Sequence, residues 1–222
     1  MLHSAQRYLV VVASISMLLM GSMVHAAPFT NGSFETYTPS DFSEPFITLN
    51  SVNTGIAGWT VPSGNIDYIG NLWAAQEGNR SLDLNGSNAL GTIEQTFDTV
   101  TGHQYEVTFY LAGNYILSPA IKTLNVGATG TAVQGYAFDS TGHSAGAMGW
   151  VQETYSFTAS SSTTTLSFMS TTTNPVGQSS FGPALDNVSV KDLGVPVPEP
   201  TTLFFLALGL VGLAGKQRRF TK

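Results

Sequence analysis

The sequence predicts an all-β domain, an antiparallel β-sandwich or jelly roll. Three observations point to it. Short segments with apolar residues at every second position recur through the middle of the chain. Turn-forming clusters separate them. No stretch between the two chain ends shows a convincing amphipathic helical period. The clearest strand runs over residues 105–111, where Tyr105, Val107, Phe109 and Leu111 alternate with Glu106, Thr108 and Tyr110. Residues 81–84 and 165–168 alternate too, the latter in a Ser/Thr-rich stretch whose β-branched threonines suit a pleated surface. Residues 46–52, 65–69, 92–97, 122–126, 151–157 and 185–190 complete the expected set. Turns are expected at Pro62-Ser63-Gly64-Asn65, Asn85-Gly86, Thr101-Gly102 and Asn174-Pro175. Short strands punctuated in this way close into one sandwich.

The whole chain has 222 residues, 8 Lys+Arg, 14 Asp+Glu and no cysteine. A disulfide framework and thiolate chemistry are thereby excluded. So few cations exclude the clustered positive charge that nucleic-acid binding needs. These averages mix three unlike segments. Residues 1–26 carry Arg7, an apolar run from Tyr8 to Met20 and a small-residue end at Ala26, the layout of a secretory signal peptide with cleavage after Ala26. Residues 196–222 carry a proline-stiffened linker, an apolar run over 201–215 and a basic end at Lys216, Arg218, Arg219 and Lys222. As a helix that run would reach only ~22 Å, short of the ~30 Å hydrocarbon core. The segment therefore reads as a transient membrane stop, with its basic end held on the cytoplasmic side. The domain between, 27–195, has only Arg80, Lys122 and Lys191 as cations against 13 acids, a net charge of −10.

Val197-Pro198-Glu199-Pro200, the short apolar run and the Arg-rich end resemble the PEP-CTERM sorting signal of Gram-negative bacteria. That resemblance implies export, transient inner-membrane retention and processing near Pro198, Glu199 and Pro200 by an exosortase-type membrane protease. It further implies residence at the cell surface or in an exopolysaccharide matrix. The central domain resembles a second family. Asn31-Gly32-Ser33-Phe34-Glu35 opens it, Gly58-Trp59-Thr60 and Gly78-Asn79-Arg80-Ser81-Leu82-Asp83-Leu84-Asn85-Gly86 follow, and Phe181-Gly182-Pro183-Ala184-Leu185-Asp186-Asn187-Val188 closes it. This order is similar to the choice-of-anchor C domain, related to plant cell-wall proteins with a galactose-binding-like fold. The resemblance implies a jelly roll of the carbohydrate-binding-module type, without enzymatic activity. It also implies a structural Ca²⁺ where the first and last strands meet, with Glu35 and Asp186 contributing. Calcium takes six to eight oxygens, and carboxylates with loop carbonyls can supply them; the alternative is that both acids cap turns at the sandwich edge.

A sugar site needs aromatic faces for pyranose C–H groups and planar polar groups for hydroxyls. Trp73, Arg80, Asn85 and Asn114 are the candidates, with Trp59, Tyr68, Tyr115 and Trp150 behind them. For any single tryptophan a core position between the sheets is the stronger expectation. Arg80 could instead pair with Glu77 or Asp83. Gly142-His143-Ser144-Ala145-Gly146 matches the G-x-S-x-G pattern of a nucleophile elbow, but no histidine lies beyond His143 to serve as base. Two histidines, His103 and His143, are too few for a His-rich zinc site. The sequence therefore reads as an exported, matrix-associated, non-catalytic protein that binds carbohydrate. The alternative is a structural envelope or biofilm protein that works through protein contacts alone.

Overall fold

The computed structural model describes residues 28–40, 43–87, 89–174 and 180–196. The expected signal peptide and nearly all of the sorting segment, Pro198, Glu199 and Pro200 included, lie outside the described residues. Within them the strands are β1 (Phe46–Asn50), β2 (Thr60–Ser63), β3 (Asn65–Ile69), β4 (Ser81–Asp83), β5 (Asn85–Gly86), β6 (Ala89–Leu90), β7 (Thr92–Asp98), β8 (Gln104–Gly113), β9 (Ile121–Ala128), β10 (Gln134–Asp139), β11 (Val151–Thr158), β12 (Thr163–Ser170) and β13 (Pro183–Gly194). They form a six-stranded sheet, β1-β3-β4-β13-β8-β11, and a five-stranded sheet, β10-β9-β12-β7-β2, with β5-β6 as a separate small pair. Every pairing is antiparallel.

The alternation read from the sequence places the core. Tyr105, Val107, Phe109 and Leu111 of β8 are buried, and so are Leu166 and Phe168 of β12. Phe109 meets Phe168 across the two sheets edge to face, with ring centroids 5.2 Å apart. Trp59 joins them from the loop before β2, its centroid 6.3 Å from that of Phe168. All nine expected strand segments are present. Two strands of the five-stranded sheet, β2 and β10, had no expectation. β2 carries Pro62, which reads as a turn, and it sits at the sheet edge, where a missing N–H is tolerated. β10 offers only Tyr136 and Phe138 as an apolar face and is the opposite edge. Asn85-Gly86, expected as a turn, is instead β5, paired with Ala89–Leu90. The turn at Thr101-Gly102 is present, with Gly102 at φ 84°.

One irregularity decides what the chain ends do. The register of β13 against β8 passes from Asp186↔Tyr110 to Ser189↔Thr108, so one extra residue bulges from β13. Asn187 takes φ 46° there. The freed Val188 N–H donates to Gly32 O at 2.9 Å. A Cβ at Gly32 would overlap Val188 O, so only glycine lets the opening segment come this close. Asn31 holds that segment in turn: its side chain donates to Thr36 O and Ala57 O, and its backbone carbonyl accepts from the Trp59 indole. The opening and closing motifs thus meet at a β-bulge.

Candidate functional site

The connection from β3 to β4, residues 70–80, lies against the six-stranded sheet and forms one wall of a cleft of about 650 Å³. Ser43 and Glu44 contribute from the segment before β1, and Ala145 and Gly146 from the connection between β10 and β11. The two connections are tied together. Ala74 N–H donates to Ala145 O at 2.8 Å, and the Trp150 indole N–H donates to Ala74 O at 3.0 Å. Asn71, Asn79 and Arg80 are among the residues that line the cleft, with Leu72 and Trp73 beside them.

Of the four sugar-site candidates, two meet here. Trp73 is 4% exposed and its indole N–H donates to Ser81 Oγ at 2.9 Å, so it anchors the wall and shows only an edge to the cleft. Arg80 is half-buried, with its guanidinium carbon 5.7 Å from the Tyr68 ring centroid. Burial pushes Tyr68 up to about 12, with Arg80 pulling the other way. Asn85 and Asn114 do not reach the cleft; both are buried in a polar network at the end of the sandwich. Asn114 Nδ2 donates to Asp83 Oδ2 at 2.8 Å, and Asn85 Nδ2 donates to Thr172 O at 3.0 Å while its Oδ1 accepts from Ser170. Trp59 and Tyr68 are core residues, and Trp150 and Tyr115 are partly buried against the core.

That interior network has a member the sequence reading passed over. Lys122 is 0% exposed and donates to Leu117 O at 2.9 Å and Phe181 O at 2.8 Å. Asp83 is its charged counterpart and accepts from Asn85 N–H and Gly182 N–H, both at 2.9 Å. Burial pushes Asp83 up to about 7, against the hydrogen bonds from Asn114, Asn85 and Gly182. Burial holds Lys122 down to about 8, against the attraction of Asp83. The signal was available: Lys122 shares the inward face of β9 with Leu124 and Val126. Arg80 could not pair with Asp83, because Asp83 lies inside this network.

Glu35 and Asp186 hold the two ends of one stretch of loop, residues 76–80. Their oxygens are engaged by backbone donors. Glu35 Oε1 accepts from Asn79 and Arg80 N–H, both at 2.8 Å. Asp186 Oδ2 accepts from Gln76 N–H at 2.8 Å and Glu77 N–H at 3.1 Å, and its Oδ1 from Asn187 N–H at 2.6 Å. Asp186 is 0% exposed, and burial pushes it up to about 7. Among the described residues no group of three or more His, Asp or Glu gathers as a metal site would need. Five N–H groups thus donate to these two carboxylates. Two carboxylates supply only part of the six to eight oxygens that a calcium ion takes, and no third acid joins them among the described residues.

Ser144 is not built as a nucleophile. It forms a tight bridge with Ala147, each accepting from the other's N–H, in the connection between two strands. His143 Nδ1 contacts Ala147 O at 3.1 Å, and its ring packs on Phe138. No helix follows that connection to complete an elbow. A second groove, of about 730 Å³, lies at the opposite end of β8 and is lined by Phe29, Phe97, Val100, Tyr105 and Val190, with Asp98 and Asp192 among its polar residues. Asp192 is tied to His103 Nδ1 at 2.9 Å and accepts from Tyr105 Oη at 3.0 Å.

The fold and this surface define a β-sandwich domain with a loop-built cleft. Two protein-family models match the chain. Residues 27–191 match the family described as "Protein of unknown function (DUF642)", and residues 196–219 match the PEP-CTERM protein-sorting motif. The chain belongs to the DUF642 family, and its C-terminal motif marks it for export. Halomucin of Haloquadratum walsbyi is 33% identical over 199 residues, 86% of this chain. The chain spans 2% of the length of that curated relative. Among solved structures, TmCBM61 in complex with β-1,4-galactotriose is 15% identical with a TM-score of 0.46, over 75% of this chain and 98% of that one. CBM35 from Paenibacillus barcinonensis is 22% identical with a TM-score of 0.42, over 65% of this chain and 98% of that one.

Proposed function

We propose that this protein is an exported, non-catalytic carbohydrate-binding module whose ligand lies in the cleft between the β3–β4 and β10–β11 connections. The observation that carries this reading is the convergence of Arg80, Asn71 and Asn79 beside Leu72 and Trp73 in one open cleft. Planar donors and acceptors next to apolar surface are what a pyranose ring requires. Arg80 is the cation among the cleft's lining residues, which also include Glu44, in a domain of net charge −10. Such a cleft favours a neutral glycan over an anionic polymer. The C-terminal segment would hold the chain briefly in the inner membrane until an exosortase-type protease cuts near Pro198–Pro200. The domain would then pass to the cell surface or the extracellular matrix.

The test is an array of neutral and acidic oligosaccharides probed with the exported protein. Binding to neutral glycans that Arg80→Ala weakens at least about tenfold, with an unchanged melting temperature, supports the cleft. A blank array, with and without Ca²⁺, would falsify it and leave the protein-contact reading.

A further inference from the structure

We infer that Glu35 and Asp186 are positioning residues for the cleft: they clamp the backbone of residues 76–80, by accepting its N–H groups, into the wall that presents Asn79 and Arg80. The inference rests on the reading of that cleft as a ligand site for its functional meaning, and on the hydrogen bonds alone for its structure. Four N–H groups within five residues, those of Gln76, Glu77, Asn79 and Arg80, converge on two carboxylates. The carboxylates come from opposite ends of the domain. Glu35 belongs to the opening segment, and Asp186 sits at the β13 bulge.

The clamp has a built centre. Gly78 lies between the two N–H pairs at φ 63°, a left-handed conformation that side chains resist. A Cβ there would collide with Glu35 Oε1. Asn187, at φ 46° on the bulge, donates from Nδ2 to Gln76 Oε1 at 2.7 Å and closes the far side. Gly78, Asn79 and Arg80 all line the cleft. Glu35 holds the N–H of Arg80, a residue that lines the cleft, so the carboxylate fixes the backbone from which the guanidinium extends. A carboxylate is the strongest acceptor available for such a task. The two acids therefore do for the loop what the family resemblance assigned to calcium.

Residue-resolved amide exchange on the full exported chain tests this, with Glu35→Ala, Glu35→Gln and Gly78→Ala as variants. Glu35 is exposed, so its replacement leaves the core in place. Glu35→Ala is expected to speed exchange at Asn79 and Arg80 by about tenfold, to spare Gln76 and Glu77, and to leave strand amides and Tm unchanged. Glu35→Gln, which keeps an acceptor oxygen, restores part of the protection. Gly78→Ala loosens both pairs. Unchanged exchange at Asn79 and Arg80 in Glu35→Ala overturns the clamp. So does millimolar CaCl₂ that raises Tm over EGTA in the parent but not in Glu35→Ala, because the acids would then be cation ligands. On the oligosaccharide array, Glu35→Ala should weaken every glycan the parent binds about tenfold without changing Tm. An array blank for the parent removes the cleft reading, and the amide result still decides the clamp.

Discussion

Two carboxylate clusters in this domain use the same device for different ends. At the cleft, Glu35 and Asp186 accept the N–H groups of a loop whose other face is open to solvent. At the end of the sandwich, Asp83 accepts from Asn85, Gly182 and Asn114 inside a network that also contains Lys122, with no water-facing side. The first cluster holds a surface that can be used. The second holds the ends of five strands together and offers nothing to a ligand. Asp186 is as buried as Asp83, and what tells the clusters apart is that residues 78–80 of the first line an open cleft. Removing an acceptor from a closed network strands its donors, while a surface loop that loses one can turn to water.

The largest effect is therefore expected at Asp83. Asp83→Ala leaves three donors without an acceptor and Lys122 without its countercharge, and should cost about 3–5 kcal/mol in denaturant unfolding. A loss as small as that of Glu35→Ala would erase the distinction between the clusters. Lys122→Met keeps the bulk of the side chain but unpairs Leu117 O and Phe181 O, and should cost about 1–3 kcal/mol.

The pH dependence comes next. Asp83 and Asp186 are raised from an ordinary 3.8 to about 7, and Asp67 to about 6, mainly by burial. The folded chain keeps these protons where the unfolded chain has released them, so stability falls as pH climbs from about 4 to about 7. Lys122 is lowered from 10.5 to about 8, so stability recovers as pH rises beyond about 8. A thermal melt should therefore give a Tm several degrees higher near pH 5 than near pH 8. Asp192 and Asp139, both held below the usual carboxylate range, lose their contribution only at lower pH. A Tm that rises steadily from pH 5 to pH 8 would mean that Asp83 is ionised and compensated. The smallest effect belongs to His103→Ala. It removes the exposed contact with Asp192, and Tm should stay within about 2 °C of the parent.

The strands of the core were legible in the sequence wherever apolar residues alternated over a long enough run, as over 105–111. The edge strands β2 and β10 were not, because an edge needs fewer apolar contacts and tolerates Pro62. Arg80 stood out because cations are rare in the domain, and it does line the cleft. Asn85 and Asn114 were read as sugar contacts from residue type, and type cannot separate a buried amide with partners from an exposed one. Glu44 and Asn71 joined the cleft without any local signal, since only the packing of distant loops brings them there.

The sequence by itself determined the all-β class, the sorting motif that follows the domain, and the cation-poor character of the domain. Those depend on composition and on periods of two residues, which are local. Tertiary structure alone decided that the opening and closing motifs meet at a bulge, that Glu35 and Asp186 spend their charge on N–H groups, and that Asp83 and Lys122 share an interior. Each of these joins residues that are about 40 to 150 positions apart, and local pattern says nothing about which distant donors a folded chain will bring to a carboxylate.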